Sequence, residues 1–138
     1  MQRLQTQVKS QLEAALAGMN TEVFYAYPQR WAALGTAVSF VESENLCLQA
    51  AFPPQSAPEA DAQDAYPYEV MQRVVYTVDV WGTDPDEVWA VFAQINRAMT
   101  GIGFTRESSG DLYETQTRLH HRTSRYAAQV NLIQNEIG

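Results

Sequence analysis

Residues Val74 to Arg106 read VVYTVDVWGTDPDEVWAVFAQINRAMTGIGFTR, a strand, a capped helix and a second strand in unbroken order. Val74, Tyr76, Val78 and Val80 place large residues on every second position, the pattern of a strand with one buried face. Gly82-Thr83 breaks that strand. Asp84 suits an N-cap, Pro85 the first helical position, and Glu87 the acid of a capping box. Val88, Val91, Phe92, Ile95 and Met99 then recur at helical spacing and form one apolar stripe to lay across a sheet. Gly101 and Gly103 end the helix, and Phe104 opens the next strand. Such a unit is built for packing and carries no catalytic signature.

The rest of the chain supplies partners for that unit. Leu4, Val8, Leu12, Ala15, Leu16 and Met19 predict an amphipathic helix over residues 3–18, stopped by Gly18 and Asn20. Thr21 to Tyr27 reads as a short aromatic strand closed by Pro28. Thr36 to Val41 and Asn45 to Ala50 read as β structure with an interruption at Glu42–Glu44. Residues 51–67, AFPPQSAPEADAQDAYP, combine prolines, small residues and acids, and so form a long mobile loop. That loop joins two strand regions, which implies an extended hairpin. Glu69 to Trp81 is the longest strand, 84–100 the helix, and Phe104–Ser108 a strand ended by a Ser109-Gly110-Asp111 turn. Thr117 to Val130 reads as the last strand, with a frayed tail after Asn131. The order α-β-β-β-α-β-β gives an α+β class, a mostly antiparallel β-sheet covered on one face by two helices. At 138 residues the expectation is one domain over 1–138.

Composition narrows the function. The net charge is −7, from 16 acids and nine bases, and Lys9 is the one lysine. Phosphate contacts need clustered Lys and Arg, so nucleic-acid binding is not the expected task. Between Arg30 and Arg73 no base occurs, whereas Glu42, Glu44, Glu59, Asp61, Asp64 and Glu69 do. This acidic region and the basic stretch Arg118, Arg122 and Arg125 either complement each other between copies or are simply solvated. A lone cysteine excludes an internal disulfide, and Leu46-Cys47-Leu48 reads as buried. The N-terminal stretch lacks the apolar core of a signal peptide, and no run reaches the length of a membrane span.

Chemistry finds no footing. His120 and His121 are neighbours on a strand and point to opposite faces, so they do not share a metal ion. No serine has a His or Asp at diagnostic spacing, and Gly101-Ile102-Gly103 stands after a helix, the reverse of a phosphate loop. Asp79 is explained by pairing with an arginine on a neighbouring strand. Arg118, His120 and Arg122 share one strand face and Arg125 takes the other, which leaves a basic stripe or a solvated edge. Tyr27 with Trp31, and Trp81 with Trp89, are core or interface pairs. Trp89 lies off its helix's main stripe, which implies a second buried face against a neighbouring subunit. Neither catalytic nor metal residues nor a cofactor are expected.

These segments together resemble the tail completion, or tail terminator, proteins of long-tailed bacteriophages and prophages. The resemblance rests on Phe24-Tyr25-Ala26-Tyr27-Pro28, then Val78-Asp79-Val80-Trp81-Gly82, a capped helix ending in Ala98-Met99, and Gly103-Phe104. Asp111-Leu112-Tyr113-Glu114, His120 and Arg125-Tyr126 complete it, with "D-V-W-G, helix, G-F" the strongest part. It implies a structural virion protein, assembled in the bacterial cytoplasm, that closes the head-proximal end of the tail tube as a six-membered ring. Its implied partners are itself, the tail tube protein and the head–tail connector, with DNA passing through unbound. Carried onto this chain, the loop 51–67 (Phe52, Glu59, Asp61, Asp64) and the strand 118–126 (Arg118, Arg122, Arg125), with Trp89, are the candidate contacts. A neck or connector protein is the near alternative. A small ligand-binding module, with a pocket near Tyr76, Trp81 and Trp89, is the distant one. Residues 127–138 map onto no family feature.

Overall fold

The computed structural model describes residues 4–27, 35–51, 68–132 and 136–137. Its elements are α1 (Leu4–Ala15), β1 (Thr21–Tyr25), β2 (Thr36–Ala51), β3 (Tyr68–Gly82), α2 (Pro85–Gly101), β4 (Thr105–Glu114), β5 (Leu119–Asn131) and β6 (Glu136–Ile137). The sheet runs β1-β2-β3-β5-β4, with β6 on β5. All pairings are antiparallel except β1 with β2, which is parallel from Thr21↔Thr36 to Tyr25↔Phe40. The expected α+β class, a mostly antiparallel sheet with two helices, is the fold observed.

Helix α2 follows its sequence signals closely. Asp84 has extended backbone, and its Oδ1 accepts the Asp86 N–H at 2.9 Å. Glu87 holds the third helical position, but its carboxylate lies beside Gly35, where a Cβ would come within 3.1 Å of Oε1. At the other end the Phe104 N–H bonds the Met99 carbonyl at 3.0 Å and the Gly103 N–H bonds that of Thr100 at 3.2 Å. With Gly103 at φ 104° this is a Schellman cap, which needs the left-handed residue that glycine supplies at least cost. All five stripe residues of α2 are buried, as are Val8 and Leu12 of α1. They pack on Val38 and Phe40 of β2, Tyr76, Val78 and Val80 of β3, and Tyr126 and Ala128 of β5. Each such side chain removed from water contributes about 1.5–3 kcal/mol before entropy is counted.

Four expectations need correction. First, β2 does not stop at Glu42–Glu44: the register shifts there by a bulge and the strand continues to Ala51. A bulge absorbs one extra residue without ending the ladder. Second, β4 runs straight through Ser109-Gly110-Asp111, and the turn falls at residues 115–118. Pairing with β5 from Ser109↔Ser124 to Glu114↔Leu119 overrides the local turn composition. Third, Cys47 is exposed. Fourth, the tail after Asn131 is not simply frayed, because β6 pairs Ile137 with Val130 and sets its carbonyl against Gly103.

β2 and β3 form a hairpin longer than the sheet is deep. Their register closes at Ala51↔Tyr68, while β5 pairs with β3 only from Met71 onward. Residues 43–50 of β2 are exposed throughout; β3 beside them still pairs with β5 as far as Met71, so the hairpin passes beyond the third strand only at its last residues, Ala50↔Glu69 and Ala51↔Tyr68. The loop at its tip, with Phe52, Glu59, Asp61 and Asp64, lies outside the described residues, as does Trp31.

Tyr126 lies at the centre of the buried face, opposite Tyr76 in the register, and its hydroxyl donates to Asn96 Oδ1 of α2 at 3.2 Å. Burial pushes its pKa up to about 12, against smaller lowering effects from Ser124, Arg106 and Arg122. The folded state therefore keeps a proton that the unfolded chain releases near pH 10, and stability falls as pH rises from there to about 12. Denaturant titrations at pH 8 and pH 11 should show a loss of stability in the native chain that Tyr126→Phe largely lacks.

Candidate functional site

The β3–α2 connection brings the first turn of α2 over the end of β5. Arg122 pairs with Val80 in the register and so takes the helix-covered face of the sheet. Its guanidinium lies over the Phe92 ring at 4.1 Å and the Trp89 ring at 4.6 Å, and its Nη1 donates to Asp111 Oδ1 at 2.8 Å. Arg106 approaches Phe92 at 5.5 Å. Trp89 and Phe92 contact each other at 5.4 Å. A stacked arginine of this kind is held by ring quadrupole and by packing of its stem as much as by its carboxylate. Trp89 nevertheless stays 56% exposed.

The other face of the same sheet end carries a polar group. His121 stacks on Trp81, with ring centres 4.5 Å apart and planes at 18°. Its Nε2 bonds Asp79 Oδ1 at 2.7 Å, and Nδ1 lies 3.6 Å from Glu114 Oε1. Asp79 thus takes a histidine partner, not the expected arginine, because β5 sets Thr123 directly opposite it and His121 two residues along on the same face. His120 instead neighbours Tyr113, with ring centres 4.9 Å apart. The two histidines serve different contacts. Among the described residues no group of three His, Cys, Asp or Glu side chains is placed to hold a metal ion.

Where the first turns of α2 meet β4 and β5 lies a cavity of about 350 Å³, lined by Pro85, Asp86, Val88 and Trp89 of α2, Asp111 and Leu112 of β4, and His120, His121 and Arg122 of β5. Leu112 and Tyr113 are more than half exposed at its edge. Among the described residues, Tyr76, Trp81 and Trp89 do not line one cavity, as a ligand-binding module would need. Tyr76 is buried in the core and Trp81 packs on His121, which leaves Trp89 alone of the three on a cavity wall.

The expected basic stripe does not form either. Arg118 sits in the β4–β5 turn at φ 57°, its N–H bonded to the Glu114 carbonyl, so strand alternation does not apply to it. Arg122 is turned inward, with 11% of its side chain exposed. Arg125 lies on the open face, where Arg73 and Arg125 both reach Glu44, and Arg73 also pairs with Glu107. Asp111 and Phe92 escaped the sequence reading as members of this site. Asp111 was assigned to a turn, and only the β4–β5 register sets it opposite Arg122.

Residues 49–131 match the model of a protein family described as Tail completion protein gp17. The chain belongs to this family. It is a phage tail completion protein, a structural class in which function resides in surfaces that meet other tail and head proteins. The match begins near the end of β2 and ends with β5, so it takes in residues 52–67, β3, α2, β4 and the Arg122 site, but not α1 or β1. No curated protein matches the chain. No described helix is long and apolar enough to cross a membrane.

The burial of Arg122 and the exposure of Arg125 predict different costs on truncation. Arg122→Ala should lower unfolding free energy by about 2 kcal/mol, from lost stacking and packing. Arg125→Ala should cost less than about 1 kcal/mol, as exposed pairs do. Urea denaturation of the two variants beside the native protein checks this ordering.

Proposed function

We propose that copies of this chain, each a single domain over 1–138, close the head-proximal end of a phage tail tube as a homo-hexameric ring and join it to the head connector. Membership of the tail completion family carries the reading. The outer half of β2 supports it, because residues 43–50 are exposed and β1 pairs with β2 only as far as Phe40, and a free strand edge is suited to contact another chain. The tip loop, with Phe52, Glu59, Asp61 and Asp64, is the contact to the tube or the lumen. Acidic loops facing the lumen would repel DNA and let it slide through without binding. Trp89, Arg118 and Arg125 are rim contacts, and Arg122 supports Trp89 from beneath. The protein acts without cofactor and without chemistry of its own, in the virion.

Mixing purified protein with tail tube protein, followed by negative-stain electron microscopy, tests the role. Tubes of limited length, capped at one end by a ring, are expected. Uncapped tubes with the protein left free would reject the terminator role in favour of a neck or connector position.

A further inference from the structure

We infer that His121 is a proton-operated latch on the β4–β5 turn. Its ring joins three strands on the sheet face opposite the helices. Nε2 lies 2.7 Å from Asp79 Oδ1 of β3, and Nδ1 lies 3.6 Å from Glu114 Oε1 at the end of β4. The second gap is too long for a hydrogen bond, and Nδ1 is buried with no hydrogen-bond partner. Buried polar atoms are nearly always bonded, so a bare ring nitrogen beside a carboxylate marks a contact that one more proton completes. Trp81, stacked at 4.5 Å, restrains the ring plane.

A neutral imidazole has one N–H and one bare nitrogen. With the proton on Nε2 it donates to Asp79 and turns a lone pair toward Glu114, so only β3 and β5 are joined. The imidazolium donates to both carboxylates at once and adds β4. Glu114 passes the effect to the turn. Its Oε2 accepts from Thr117 Oγ1 at 3.0 Å, and its backbone carbonyl accepts the Arg118 N–H at 2.7 Å. Arg118 sits there at φ 57°, a left-handed conformation that a non-glycine residue holds under local restraint. Fixing the Glu114 carboxylate against β5 supplies that restraint, so the turn tightens with the proton on and loosens with it off. Among the described residues the charged groups around the ring are Asp79 of β3, Glu114 of β4 and, lining the cavity it borders, Asp86 of α2. Arg122, next on β5, takes the opposite face, where Asp111 answers it. β2 sets Ala37 and Ser39 opposite Trp81 and Asp79 and brings no charge there.

Nuclear magnetic resonance on the isolated protein tests the latch independently of any ring assembly. The nitrogen shifts of the His121 ring report its protonation from about pH 5 to pH 8, the range in which histidines ordinarily titrate. Hydrogen exchange at the Arg118 and Leu119 amides, corrected for its intrinsic pH dependence, reports the turn. Protection about threefold greater in the imidazolium state is expected, the size of one part-exposed ion pair. Core amides such as that of Val80 serve as the reference and should not change. His121→Phe keeps a ring on Trp81 but has no proton to give, and Glu114→Ala removes the carboxylate; each should abolish the pH dependence. Turn protection that stays level or falls as the ring is protonated would overturn the latch. So would a pH dependence that survives in either variant, or a ring that keeps one protonation state throughout.

Discussion

A row of aromatic rings across the helix-covered face fixes the rest of this molecule. Tyr25 meets Phe40 edge-on at 5.3 Å, Phe40 stacks near Tyr76 at 6.3 Å, and Tyr76 meets Phe104 edge-on at 5.7 Å. Tyr126 stands opposite Tyr76 in the same register. One ring from each of four strands thus locks the order β1-β2-β3-β5, and Phe104 ties in the chain leaving α2. A slip of one residue in any pairing would send its ring to the opposite face. The α2 stripe then has a single surface to lie on, and its position places Trp89 and Phe92 over Arg122.

Much of this was legible because the central elements are buried on a definite face. Alternation in β3 and helical spacing in α2 both express contact with one core. The caps of α2 could be read at Asp84, Gly101 and Gly103 for the same reason, since orphan backbone groups must be satisfied locally. Where burial ends, the signal ends. β4 is an edge strand with little buried surface, so Ser109-Gly110-Asp111 showed its turn propensity and nothing showed the pairing that overrides it. Leu46-Cys47-Leu48 looks like a core strand because apolar residues announce a wish for cover, not whether cover exists within the same chain. The parallel pairing of β1 has no sequence marker, and neither does a two-residue strand such as β6.

The charged residues show how register reassigns chemistry. A run of arginines on one strand looks like a surface for acidic partners. Folded, Arg122 is a packing residue under two rings, Arg118 closes a turn, and Arg125 shares Glu44 with Arg73. Most of the positive charge of β5 is therefore answered inside the chain. Among the described residues, exposed apolar side chains such as Trp89, Leu112 and Tyr113 are also left for outside contact, strong in a dry interface and weak as long-range attractants.

The hairpin closes its register at Ala51 and Tyr68, well outside the core that the aromatic row defines. Since the ladder is already closed at that pair, a longer connection between the two strands costs closure entropy that rises only slowly with its length. The ladder from Thr36↔Gly82 to Ala51↔Tyr68 itself holds the two strands in register.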